Sequence, residues 1–267
     1  METVSQRAGE RVGDEIWLSP DPLPVACFSF ESGSEFRLRS SIEAVHLWYG
    51  DLREVSLDAG PLILSQDESE RARRFKFERD RRRFRASRVV LRRLLASYLD
   101  TDPASVRFRY GPNGKPECPG ISFNMAHTED CAVVAVAKEA MVGVDVERLR
   151  FLSDADAIAT MHFPREWQRI RVLPTSDRTN AFFACWTAKE AFVKALGYGL
   201  SFSLSAFEVS ITHGAESPRL VWLHPGTETG AIWLFKAFKL GGGHIGTIAL
   251  GRKCRPDQGH PHVASSQ

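Results

Sequence analysis

No apolar run in this chain of 267 residues approaches the ~20 residues needed to cross a bilayer. Met1 to Asp14 is polar and lacks the apolar stretch of a secretory signal. The sequence therefore predicts a cytoplasmic protein with no membrane contact. Cysteine is scarce. The five residues, Cys27, Cys118, Cys131, Cys185 and Cys254, are scattered and form no CxxC pair. That spacing indicates neither a disulfide framework nor a zinc site. Most of these cysteines are expected as buried free thiols. Charge of one sign is also lacking: the net charge is +2, so composition alone implies no polyanionic partner. No sequence repeat is visible.

What remains is ordinary globular material. Hydrophobic residues make up 43% and charged residues 25%, and the length suits one large domain or two of moderate size. A leader over 1–20 is expected to be flexible, with Pro20, Pro22 and Pro24 interrupting regular structure. Ala44 to Tyr49 is rich in β-formers and predicts a strand. Ser65 followed by Glu68 has capping-box spacing and predicts a helix start. Asp80 to Leu99 predicts a long helix, because Phe84, Leu91, Leu95 and Tyr98 recur on one face. Gly111 to Pro116 is a turn-rich loop.

Three strands then follow closely, Ile121 to His127, Cys131 to Ala137 and Met141 to Glu147, and predict an antiparallel meander. Helices are predicted from Ser153, from Pro164 and over Thr179 to Leu196, the last closed by Gly197. Strands are predicted over 207–211, 219–223, 231–240 and 244–250, before a polar tail over 252–267. Helix then strands occurs twice. This predicts an α+β fold of two similar subdomains, 21–144 and 145–251, with a site at their junction.

Charge is unevenly distributed. Arg71 to Arg93 holds twelve Arg or Lys against two acids, Glu78 and Asp80. Two readings fit: a solvated basic face, or a contact surface for phosphates or nucleic acid. Asp145 and Glu147 lie two residues apart, so in a strand they share one face. Two such carboxylates repel unless a cation or solvent relieves them. A hard divalent ion takes oxygen ligands and shares them with substrate phosphates. The other reading is a solvent-facing strand. Glu190 and Lys194, four apart on a helix, are neighbours. They read either as a surface ion pair or as cleft residues, and Phe182, Phe183, Phe192 and Leu196 leave that helix little solvated surface. His127 reads as a hydrogen-bonded strand-end residue, a phosphate contact or an acid/base group.

The ordered motifs Gly114-Lys115-Pro116, Phe123-Asn124-x-x-His127, Gly143-Val144-Asp145-Val146-Glu147 and Trp186-Thr187-x-Lys189-Glu190-Ala191-x-x-Lys194 resemble 4′-phosphopantetheinyl transferases of the large, surfactin-synthetase-activating type. The resemblance covers roughly residues 65 to 210. It implies transfer of the 4′-phosphopantetheine arm of coenzyme A to a serine hydroxyl of an acyl, peptidyl or aryl carrier protein, releasing 3′,5′-adenosine diphosphate. It implies a monomer of two α+β halves related by a pseudo-twofold. By position, Asp145, Glu147 and Glu190 match Mg²⁺ ligands, with Mn²⁺ accepting the same oxygen donors. Glu190 also matches the proposed general base, and Lys194 a pyrophosphate contact that assists the leaving group. Lys115 and His127 match residues at the nucleotide end, and Arg71 and Arg83 match basic contacts to its phosphates.

The chain departs from the family pattern at two places. Ala126-His127-Thr128 stands where the family commonly has Ser-His-Ser, and Phe84 stands where some members carry a small polar residue. Leu149, Phe151, Ile158, Met161 and Phe163 follow the acidic strand and are candidates for a carrier-docking surface, or for helix packing onto the core. The competing functions are a nucleic-acid-binding protein using the 71–93 helix and another Mg²⁺-dependent phosphoryl-transfer or hydrolytic enzyme.

Overall fold

The structure is a computed structural model that describes residues 11–12, 16–18, 25–29, 45–211, 216–227 and 229–253. In chain order the elements are β1 (Arg11–Val12), β2 (Ile16–Leu18), β3 (Val25–Ser29), β4 (Val45–Asp51), α1 (Gly60–Ile63), α2 (Gln66–Arg73) and α3 (Glu78–Leu99). There follow β5 (Arg109–Tyr110), β6 (Pro116–Glu117), β7 (Ser122–Thr128), β8 (Cys131–Ala137) and β9 (Met141–Arg148). The remainder is α4 (Ala155–His162), α5 (Pro164–Ile170), α6 (Thr175–Leu196), β10 (Phe207–Val209), β11 (Leu220–Leu223), β12 (Ala231–Leu240) and β13 (His244–Lys253).

One sheet has the order β3-β4-β8-β7, and another has the order β1-β2-β12-β13-β9. The alternation of the pleat explains the core. In β8, Ala132, Val134 and Val136 face α3, while Val133, Ala135 and Ala137 face a cluster shared with β9 and β13. A strand covered on both faces reads as a continuous apolar run, as Cys131 to Ala137 does. Val142, Val144 and Val146 of β9 enter the same shared cluster. The intervening Gly143 and Asp145 therefore face α6.

Helix α3 buries the stripe Val90, Leu91, Leu94 and Leu95, and stops at Asp100, whose backbone is left-handed. Helix α6 has Ala181, Phe182, Phe183, Ala188, Ala191, Phe192 and Val193 buried around its circumference. It ends at Gly197, φ 76°, whose N–H donates to Val193 O. The capping box expected at α2 is present: the Ser65 N–H donates to Glu68 Oε2 at 3.0 Å.

The two sheets share one connectivity. Strand β4, the 22-residue helix α3, then β7 and β8 give the order β4-β8-β7. Strand β9, the 22-residue helix α6, then β12 and β13 give β9-β13-β12. The seam between them is the pair of edge strands β7 and β9, bridged where the Val144 N–H donates to Asn124 Oδ1 at 2.8 Å.

One expectation needs correction. The strands 122–128, 131–137 and 141–148 do not form a three-stranded meander. Strands β7 and β8 pair as a hairpin, but β9 pairs with β13 in the other sheet, because its open edge accepts a strand from far along the chain. The leader over 1–20 contains β1 and β2, and β2 pairs with Phe238–Leu240 of β12; Ile16-Trp17-Leu18 is a β-forming triplet. Strand β9 runs unbroken through the 144/145 boundary, since its alternating pattern continues to Glu147. Strand β13 extends to Lys253, and the rest of the 252–267 tail lies outside the described residues. No helix among the described residues is long and apolar enough to cross a membrane. Cys118 and Cys185 are buried free thiols, Cys27 and Cys131 are half-buried, and Cys254 lies outside the described residues.

Candidate active site

The site begins with a glycine. A Cβ on Gly143 would overlap Ala191 O and Ala195 N of α6. Without it the helix settles directly on β9, with Ala191 and Ala195 against the glycine. That approach brings the acidic strand and Lys194 together. Lys194 Nζ donates to Asp145 Oδ1 at 2.5 Å.

Asp145 is 6% exposed, and its Oδ2 is buried with no hydrogen-bond partner. Burial pushes its carboxyl up to about 6. Lys194 pulls against that, while the charges of Glu190 and Glu147 push the same way as burial. Two further carboxylates, one on β9 and one on α6, thus act on Asp145 through their charge. Glu147 Oε2 accepts from Thr128 Oγ1 at 3.3 Å and from Arg150 Nη1 at 3.1 Å. Glu190 is half-buried on the same side of α6.

Among the described residues, no group of three or more His, Cys, Asp or Glu side chains is placed so that it could hold a metal ion. The unanswered buried oxygen of Asp145, which also feels the charges of Glu147 and Glu190, is nonetheless oxygen-donor chemistry of the kind a hard divalent cation takes. A lone buried anion is otherwise costly.

Strand β7 contributes Asn124, Met125 and His127 to an open cleft of about 850 Å³, whose lining includes none of Asp145, Glu147, Glu190 and Lys194. Arg71, Arg74, Phe84, Arg88, Tyr110 and His127 contribute to its wall. Arg71 stands over the Phe84 ring at 5.5 Å, so the residue at position 84 shapes the cationic wall. His127 lies on the cleft within range of the Lys194 charge. The residue is open to solvent at the cleft. Burial lowers its pKa, and the nearby Lys194 and Arg83 charges lower it further.

The remaining expected residues are placed differently. Arg83 makes a bidentate pair with Asp130, Nε–Oδ1 2.7 Å and Nη2–Oδ2 2.9 Å, so its guanidinium is already engaged. Lys115 does not reach His127. Its Nζ donates to Ala195 O at 3.0 Å and Val142 O at 3.2 Å, and burial lowers its pKa to about 8. Ala126 faces the cluster between the sheets, on the opposite side of β7 from His127. Phe163 is fully buried, and Leu149 and Ile158 pack against the same core, so the proposed docking row reduces to Phe151, 89% exposed, and Met161, 75% exposed.

The basic helix proves to be largely a scaffold. Arg88 and Arg92 converge on buried Glu68, at 2.5 Å and 2.6 Å. Arg82 donates to Leu52 O at 2.8 Å. Neither a solvated face nor a phosphate surface describes these residues.

Three contributors carried no expected role. Asn124 ties β7 to β9, and Thr128 braces Glu147. Lys189 is wholly buried, with Nζ 2.6 Å from Glu166 Oε1 and 2.8 Å from Leu204 O. It anchors a different face of α6 from the one that carries Glu190. Its place in the same motif as Glu190 was a signal, but adjacent helical positions point in different directions.

Residues 141–249 match the 4′-phosphopantetheinyl transferase superfamily, and residues 54–139 match 4′-phosphopantetheinyl transferase, N-terminal. The chain is 39% identical over 179 residues to 4′-phosphopantetheinyl transferase HetI of Nostoc sp., covering 64% of this chain and 75% of that protein. It is 29% identical over 164 residues to human L-aminoadipate-semialdehyde dehydrogenase-phosphopantetheinyl transferase, covering 56% of this chain and only 53% of that protein. The crystal structure of Thermotoga maritima holo-[acyl-carrier-protein] synthase overlaps with TM-score 0.32 at 24% identity, over 44% of this chain and 67% of that chain.

Proposed function

The chain belongs to the 4′-phosphopantetheinyl transferase superfamily, and from that premise we propose that it transfers the 4′-phosphopantetheine arm of coenzyme A to a serine hydroxyl of an apo carrier protein, releasing 3′,5′-adenosine diphosphate. The observation that carries this reading is the buried Asp145 carboxylate, answered on one oxygen by Lys194 and open on the other beside Glu147 and Glu190.

Asp145, Glu147 and Glu190 would hold Mg²⁺, or Mn²⁺, which supplies neutralising charge for a pyrophosphate. Lys194 is half-exposed and reaches the same space, where its ammonium suits the charge growing on a departing phosphate. Glu190 would accept the serine proton. His127, Arg71 and Arg74 offer donors to the nucleotide phosphates along the cleft. Arg83 acts there by holding Asp130 at the β7–β8 turn and by its charge on His127.

The repeated connectivity supports two halves related by a pseudo-twofold, joined through β9, with the site on the seam. The proposed setting is a cytoplasmic monomer acting on an acyl, peptidyl or aryl carrier, with the exposed pair Phe151 and Met161 beyond β9 meeting the carrier. Neither nucleic acid nor membrane has a part in this reading.

The test is direct. Purified protein, coenzyme A, Mg²⁺ and an apo carrier should yield a carrier heavier by one phosphopantetheine arm, by intact-mass spectrometry. A panel of acyl, peptidyl and aryl carriers that all remain unmodified would sink the proposal. Breakdown of coenzyme A without any carrier would replace it with a hydrolytic reading.

A further inference from the structure

The loop between β5 and β6 has two working faces. Tyr110, Gly114 and Pro116 line the cleft that carries Arg71 and His127. Asn113 and Lys115 leave from the other face and reach the C-terminal turn of α6. Asn113 Nδ2 donates to Gly197 O at 3.1 Å. Lys115 Nζ donates to Ala195 O at 3.0 Å, and also to Val142 O at 3.2 Å.

The chemistry of a helix end explains these contacts. Its last carbonyls have no intrahelical partner. The negative end of its dipole favours a cation. Here a distant hairpin supplies both answers. The stem of Lys115 also lies on Gly197, where an added Cβ would stand 3.3 Å from Lys115 Cδ. The consequence is geometric. The turn that Lys115 caps carries Lys194, and Val142 lies three residues before Asp145 on β9. Lys115 ties together the backbones of the two elements whose side chains meet at the Lys194–Asp145 pair.

We propose that the 109–117 hairpin is a latch, in which Lys115 is a positioning residue that holds the end of α6 on β9 and passes occupancy of the cleft on to Lys194. The proposal replaces the direct nucleotide contact that the family resemblance implies for Lys115. It rests on the transferase reading for the identity of the cleft's ligand, the nucleotide end of coenzyme A. Tyr110 and Pro116 touch that space directly, so a ligand there presses on the hairpin whose opposite face grips α6.

The test uses the full chain and 3′,5′-adenosine diphosphate as probe, with calorimetry for affinity and hydrogen exchange for the amides of 193–197. In the wild-type protein the probe should slow exchange at those amides. Lys115→Met should bind the probe within about threefold of wild type and lose that protection, while kcat for transfer falls about tenfold, in the usual range of coupling between sites. Asn113→Ala removes only the exposed contact. It should give a partial loss of protection and keeps the question open to decision if Lys115→Met does not fold.

Three results overturn the latch: weakening of probe binding by about tenfold or more in Lys115→Met, as loss of a charged contact gives; full protection of 193–197 in both variants; or probe binding to wild type without protection. Wild-type protein that binds neither the probe nor coenzyme A overturns the transferase reading, and the latch with it.

Discussion

Lys194 Nζ stands 2.5 Å from Asp145 Oδ1, while Oδ2 of the same carboxylate is buried without a partner. One oxygen is answered from the helix, and the other faces a space where Glu147 and Glu190 add negative charge. The arrangement is poor for stability and suited to binding a cation. Asp145→Asn should therefore separate the two properties. Transfer activity should fall about 10²–10³-fold, the usual loss when a preorganised electrostatic group is removed. The melting temperature should not fall, because the substitution relieves a desolvated charge and Lys194 is exposed enough to find water. Activity and calorimetry on the same preparation decide. A large drop in Tm would mean that Asp145 is chiefly structural.

The same carboxyl sets a pH dependence. Its folded pKa of about 6 lies above the ordinary 3.8. Between these values the folded state holds more protons than the unfolded state. Stability of the metal-free protein is then highest below the unfolded pKa, and falls as pH rises through about 6. A divalent cation competes with that proton, so its affinity should drop by about tenfold per pH unit below 6. Thermal shift with and without Mg²⁺ should show a clear gain at pH 7.5 and almost none at pH 5. Asp145→Asn should abolish the difference. An equal Mg²⁺ effect at both pH values would remove Asp145 from the ligand set.

Much of this site is legible in the sequence, for identifiable reasons. The period-2 alternation of Val142 to Glu147 fixes which side chains share a face, and the helical spacing of Glu190 and Lys194 does the same. Those rules are local. The seam between β7 and β9 is not local: nothing in Met141 to Arg148 says that its partner is β13 rather than β8. The arginines of α3 mislead for a related reason. Charge density is visible along the chain, but the partners Glu68 and Asp130 lie on other elements. Lys115 shows the same limit, because a loop lysine reads as solvated until the end of α6 arrives beside it.

Gly143→Ala tests the close approach on which the site depends. The added methyl would meet backbone atoms of α6, which cannot rotate away. Helix or strand must shift, at a cost of about 1–3 kcal/mol for overpacking. The shift also separates Lys194 from Asp145, so kcat should fall by more than the lost stability explains at temperatures well below Tm. Urea denaturation and kinetics at 15 °C and 25 °C separate the two effects. Unchanged stability and activity would mean that α6 does not rest on β9 at this glycine.

Lys189 and Glu166 form a buried pair behind the active face of α6. The Glu166 carboxylate also accepts the Val209 N–H at 3.1 Å, so the pair joins α5, α6 and β10. Lys189→Met leaves a buried carboxylate without its cation and should cost about 3–5 kcal/mol. Adding Glu166→Gln should restore part of that loss, because the stranded charge is then gone while an acceptor for Val209 remains. The midpoint of urea unfolding measures both. Additive losses in the double variant would show that the two side chains are not coupled.

Phe151 is 89% exposed just beyond the acidic strand, and Met161 on α4 is 75% exposed. Large apolar side chains this open bury no surface within the fold, so replacing one with a charge should leave folding unchanged within about 0.5 kcal/mol. What they can lose is a partner. If the carrier covers Phe151, then Phe151→Glu removes an apolar anchor and puts an unpaired charge into the contact. The apparent KM for carrier should rise about tenfold or more, as for a contact central to an interface. The affinity for coenzyme A should stay constant, because its cleft is walled by α2, α3 and β7. Steady-state kinetics with each substrate varied in turn, together with calorimetry of coenzyme A, separates the two sites. An unchanged KM for carrier would place docking elsewhere.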